Sequence, residues 1–210
     1  MDAEQFVETV RDDNETALSR LGSSKSLYAA TGGEMDSETV YRAAADAEHA
    51  AHETFAAWAD ELDGDAGDLF ADVADTEREH YETVAGKLDD HDPGAVPGVQ
   101  EFLREGVDER DAVARLGGFV GRTLASEKSK EQMTGFFTGQ ADPQTAQLFR
   151  DLKGDLDEQR ERALAVLADR CENDEDWERA RDAAGGAIQA AYEEYTESLE
   201  SMGVNPKPVC

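Results

Sequence analysis

Apolar residues return in steps of three and four along most of this chain, the spacing that gives a helix one buried face. Val40, Ala44, Ala47, Ala51, Phe55, Trp58 and Leu62 predict a helix over 37–62. Leu69, Val73, Val84 and Leu88 predict a second over 68–89. Two more are expected over 109–139 and 143–171, the latter opened by Asp142-Pro143. A last long helix, 175–202, carries Trp177, Ala184, Ile188, Ala191, Tyr195, Leu199 and Met202 in register. Upstream, Phe6, Val10, Ala17 and Leu21 mark a helix over 2–21, ended by Gly22-Ser23-Ser24. Shorter segments are expected at 25–30 and 99–105. The tail 204–210 carries two prolines and is not expected to be helical.

The connections decide the topology. Asp63-Gly64-Asp65-Ala66-Gly67 and the turn before Pro143 are short, whereas the stretch from His91 to Gly98 is long and rich in breakers. Short, long, short describes two antiparallel hairpins joined by a crossover. The fold class expected is therefore all-α, a four-helix bundle with additional N- and C-terminal helices. A chain of 210 residues is read as one domain. Its parts are an N-terminal extension (2–34), the bundle (37–171), a C-terminal helix (175–203) and the tail (204–210). The apolar stripe of the final helix could pack on the bundle or build a homodimer.

Charge changes the picture of the surface more than that of the fold. Acidic residues number 49 against 20 basic ones, a formal charge of −29, and only six bases are Lys. The acids are spread along the whole chain, which fits a protein of a salt-accumulating cell, where molar salt screens the repulsion. The excess disfavours nucleic acid as a partner. No 18-residue apolar run is present and the start, Met1-Asp2-Ala3-Glu4, lacks the basic and apolar regions of a signal peptide. A cytoplasmic protein without a membrane partner is expected. Cys171 and Cys210 are too few for a disulfide scaffold, and without Cys-x-x-Cys no rubredoxin-type iron centre is expected. Cys171 reads as a small core residue, Cys210 as incidental, and His49 and His91 as surface residues.

Against this background several ionisable residues fall on apolar faces. Helical projection puts Glu77 at the middle of the stripe of Leu69, Phe70, Val73, Tyr81, Val84 and Leu88, with His80 on the same stripe. Glu48 lies inside the arc of Ala44, Ala51, Phe55 and Leu62, with His52 at its edge. Glu127 continues the face of Leu116, Val120, Thr123 and Leu124, and Glu131 lies one turn further along. A buried carboxylate is costly unless paired, protonated or metal-bound. Glu77-x-x-His80 lets both side chains reach one ion, and such oxygen and nitrogen donors suit iron, manganese or zinc. The alternative is that these carboxylates pair with buried Arg or Tyr and bind nothing.

The hairpins also repeat. Glu48 and Glu127 are 79 residues apart, and the same shift lays Leu69-Phe70-Ala71-Asp72-Val73 on Leu148-Phe149-Arg150-Asp151-Leu152. Ala47-Glu48, Phe55-Ala56-Ala57-Trp58 and the run from Leu69 to His80 resemble the first hairpin of the rubrerythrin and ferritin-like superfamily. The resemblance spans 37–89 and, more weakly, 109–171. It implies a ferritin-like bundle with iron or manganese held by carboxylates and histidines, with Glu48, Glu77, His80 and Glu127 at matching positions. It further implies redox chemistry, peroxide detoxification or iron handling, with a separate electron donor. The second Glu-x-x-His is missing, because the shift places Leu156 and Gln159 there. His52 and Glu131, themselves 79 residues apart, offer replacements. The expected pocket is then Glu48, Glu77, His80, Glu127, His52 and Glu131, holding one ion in an atypical site or none. In the last case the bundle is a vestigial, metal-free scaffold with an interaction or regulatory role.

Overall fold

A computed structural model describes residues 1–108 and 111–206; Cys210 and the end of the tail lie outside the described residues. Among the described residues the chain is helical throughout: α1 (Ala3–Asp13), α2 (Glu15–Leu21), α3 (Ser24–Ala30), α4 (Ser37–Glu61), α5 (Asp65–Ala85), α6 (Gly98–Glu101), α7 (Ala112–Gly139), α8 (Pro143–Arg170) and α9 (Asp174–Ser201). Capping sets most of the starts. Asp36, Asp111, Asp142 and Asn173 each accept a backbone N–H from the first turn of the helix that follows.

Helices α4 and α5 form one antiparallel hairpin: Phe55 stacks on Phe70, and His52 reaches the carbonyl of Ala74. Helices α7 and α8 form the other, closed by Phe137 against Phe149. Residues 86–108 follow α5 on the way to the second hairpin, and α6 runs on into a π-helical turn at Phe102–Gly106. Arg104 ties that turn back to α4, donating to the Thr54 hydroxyl at 2.8 Å and the Ala50 carbonyl at 2.9 Å. The all-α fold expected is what the described residues form, with α4 packed along α5 and α7 along α8.

Three expectations about the elements need correction. The N-terminal helix breaks at Asn14, whose side chain donates to the Val10 carbonyl and accepts from Gln189 of α9. Helix α5 ends at Ala85, because Gly86 caps it, and Leu88 falls in the following turn. His91 is not a surface residue: its side chain is 3% exposed, bonded to Asp46 at 3.0 Å.

The apolar stripe of α9 is buried along α7 within the same chain, with Trp177, Ile188, Tyr195 and Leu199 all buried. Close approach requires small residues. A Cβ at Gly117 would overlap the Ala180 carbonyl oxygen and stand 2.6 Å from the Ala180 Cα. One at Gly121 would overlap the Ala184 carbonyl oxygen and stand 2.8 Å from its carbon. Glycines one turn apart on α7 thus meet alanines one turn apart on α9, backbone against backbone.

Two apolar clusters fill the bundle. One contains Phe55, Trp58, Phe70, Phe119 and Leu167; the other contains Val40, Val84, Met133, Phe137 and Phe149. Between the clusters the helices carry mostly polar residues, and Glu48, Glu77, His80, Glu127 and Glu131 fall there. Positions related by the 79-residue shift share burial: Glu48 with Glu127, Glu77 with Leu156, His80 with Gln159.

Candidate functional site

The polar layer is built by one helical turn from each long helix. On α4, Glu48 follows Ala44 and precedes Ala51 and Phe55, so burying that stripe carries the carboxylate inside. On α5, Glu77 lies one turn past Val73 and Ala74, with His80 three residues on. Glu48 is 1% exposed, Glu77 0% and His80 6%. One ligand atom from each of these three lies within 4.8 Å of the others.

What faces them comes from α7. Arg122 lays its guanidinium fork on Glu77, Nη1 to Oε1 at 2.8 Å and Nη2 to Oε2 at 3.2 Å. The same Nη2 stands 4.0 Å from Glu48. The Lys130 ammonium donates to Glu48 Oε1. Both cations are buried. His80 completes the layer by pairing with Asp155 of α8, Nε2 to Oδ2 at 2.9 Å, while its Nδ1 is 3.8 Å from Glu77.

Protonation follows from these contacts. Burial opposes the Glu77 anion, yet the Arg122 charge and the hydrogen bonds from His80, Glu48 and Arg122 outweigh it and hold its carboxyl well below the usual range. Burial pushes the Glu48 carboxyl up, against the pull of Lys130. His80 is disfavoured as a cation by burial, but its bond to Glu77, the nearby charges of Glu48 and Glu77 and its bond to Asp155 raise it. A raised imidazole contributes stability that is complete below the unfolded value near 6.5 and is lost as pH climbs through the folded value. We expect the stability advantage of wild type over His80→Gln to be largest below pH 6.5 and to shrink above it. Urea midpoints of both proteins, measured in molar KCl across that range, check this; an advantage growing with pH would contradict it.

The other expected ligands stand elsewhere. Glu127 is buried but sits among Arg160, Lys128, Lys153 and Arg11 at 3.4–3.8 Å. Glu131 pairs with Lys128 and Lys153. Both glutamates line a groove between α1, α2 and α7. The His52 ring nitrogen Nδ1 is engaged with the Ala74 carbonyl at 2.9 Å. So the structure gathers Glu48, Glu77 and His80 and leaves Glu127, Glu131 and His52 out of that group. Comparison with protein-family models, curated proteins and solved structures gives no match. The geometry of the layer therefore carries the functional reading alone.

Sequence reasoning missed Arg122 and Lys130. A signal was present: Phe119, Arg122, Ser126, Lys130, Met133 and Phe137 follow one another in steps of three and four. Two cations on an otherwise buried stripe ask for buried anions, as surely as the reverse. Asp155 of α8, half exposed, reaches His80 from the edge of the layer.

The donor set can be weighed against a bound ion. Both oxygens of Glu77 and one of Glu48 are already engaged by cationic donors. A divalent ion among them would face two fixed positive charges. At about 4 Å and an effective dielectric near 20, each opposes it by roughly 8 kcal/mol. Iron or manganese would have to displace both contacts first, and this donor arrangement does not fit the two-ion centre of the resemblance. Gln159, at the position equivalent to His80, is 5% exposed, with no hydrogen bond to its amide among the described residues.

Proposed function

We propose that this chain is a ferritin-like scaffold without a resident metal, its central pocket closed by an Arg122–Glu77 and Lys130–Glu48 network, and that it acts by binding rather than by redox chemistry. The observation that carries this is the two-point contact of Arg122 with Glu77. A guanidinium bonded to both oxygens of a carboxylate, both groups buried, takes up the oxygens that a metal would need. Layers of this kind fix helix register, since each cation has one position that neutralises its partner. No described helix is long and apolar enough to cross a membrane; the acid-rich surface supports work in a salt-rich cytoplasm.

One observation favours the other reading, a one-ion redox site of rubrerythrin type supplied by a separate electron donor. Glu48, Glu77 and His80 approach within 4.8 Å, close enough to share an ion if Lys130 and Arg122 swing away. Thermal unfolding with iron(II) or manganese(II) against chelator separates the two, because an ion that binds only the folded chain raises its midpoint. The scaffold reading predicts equal midpoints. A metal-dependent rise that disappears in Glu77→Ala would establish the redox site instead.

A further inference from the structure

The crossover does more than link two hairpins: it covers a cavity. A space of about 340 Å³ lies between α3, α4, α7, α9 and residues 95–99. That volume falls in the range of small-molecule sites. Its walls are made of small side chains, among them Ala43 and Ala47 of α4 and Ser126 and Ser129 of α7. The space is left because α9, held by its glycine–alanine contacts, packs along α7 and not on α4.

Two carboxylates stand in the lining, and no Lys, Arg or His does. Asp46 Oδ1 accepts the Gly94 N–H at 2.7 Å and His91 Nε2 at 3.0 Å, pinning the crossover over the cavity. Glu194 Oε2 accepts the Gly98 N–H at 3.0 Å from the other side. The second oxygen of each carries no hydrogen bond among the described residues. Glu194 stands exposed at the rim of this space; partial desolvation, with the negative charges of Glu101 and Glu197, raises its carboxyl against the pull of the Gly98 N–H. No ion pair to Glu194 is formed among the described residues.

We infer that this cavity binds a small organic cation, an amine with a short apolar body, its ammonium between Asp46 and Glu194 and its hydrocarbon against the alanines. Electrostatics excludes the opposite class: a carboxylate or phosphate would meet two acidic groups with no basic partner. The hydroxyls of Ser26, Ser126 and Ser129 offer further acceptors for N–H groups. The inference deepens the binding reading above. It fails separately from it, since metal dependence is read at Glu77 and amine binding at Glu194.

Hexylamine, hexanol and hexanoate are the probes, titrated calorimetrically into the full chain in molar KCl. Hexylamine should bind at least about tenfold more tightly than hexanol, and hexanoate should not bind. Glu194→Gln, which still accepts the Gly98 N–H, should lose about tenfold for hexylamine and leave hexanol unchanged. Ala47→Phe should abolish binding of both by filling the space, with its helix content and unfolding midpoint checked in parallel. Equal affinity for all three probes, no saturable binding of any, or hexylamine affinity unchanged in both Glu194→Gln and Asp46→Asn would overturn the inference.

Discussion

Arg122→Met should lower the stability of this protein by about 3–5 kcal/mol, a fall of roughly 10 °C or more in midpoint for a chain of this size. The substitution removes the guanidinium, whose carbon lies 5.4 Å from the Phe55 ring centroid, and strands the Glu77 carboxylate, which is 0% exposed. Protonating Glu77 would recover part of the loss, so the variant's deficit should narrow as pH falls toward 5. The informative control is the double change Glu77→Leu with Arg122→Met. At the equivalent point of the second hairpin Leu156 is already buried at 1% exposure, so the fold accommodates leucine in that register. Removing both charges should restore most of the stability that removing one costs. Urea unfolding of the four proteins in molar KCl gives the cycle. Additive losses would mean that the two residues do not act as a pair.

Nearly as large an effect is expected at the α7–α9 contact. Gly121→Val places two methyl groups and a Cβ where the Ala184 backbone stands. Overpacking typically costs about 1–3 kcal/mol. Here the obstacle is main chain, which cannot rotate aside, so the upper end is expected and α9 should lift from α7. Trp177, 6% exposed on α9 and packed on Phe6 at 5.6 Å, reports it: its emission should shift to the red before the bundle unfolds. Gly154→Ala on α8 is the control. Nothing lies within 4 Å of a Cβ there, so it should stabilise by about 0.5–1 kcal/mol through helix propensity alone. An unchanged Gly121→Val would mean that α9 is not held as described.

How much of this was legible in the sequence differs from one feature to the next. The long helices were, because Val40 to Leu62 and Trp177 to Met202 keep one phase for many turns and only a helix satisfies that. The break at Asn14 was not, because Asn is tolerated within helices; what ends the helix is a tertiary bond to Gln189, which is 175 residues away. The partner of the α9 stripe was also hidden: Gly117 and Gly121 mark a close approach without saying to what.

The site shows the same division. Glu48, Glu77 and His80 were found because a charge on an apolar stripe is conspicuous, and burial of all three follows from the stripe. Their partners lie on another helix, and a search for donors alone passes over cations. Glu127 shows the limit of projection. It is buried as its stripe requires, but it faces Arg160 and Lys153 and not the central layer, because helix rotation is set by packing that one helix's periodicity does not contain. The 79-residue repeat survives as a repeat of burial more than of chemistry.

Lys130 and Arg122 hold the positions at Glu48 and Glu77 that a metal would need. An anomalous difference map at the manganese edge, from crystals grown with excess manganese(II), reads those positions directly. No peak is expected between the two glutamates, with the Lys130 ammonium on Glu48 and the Arg122 fork on Glu77. A strong peak coordinated by Glu48, Glu77 and His80, with Lys130 turned away, would contradict this.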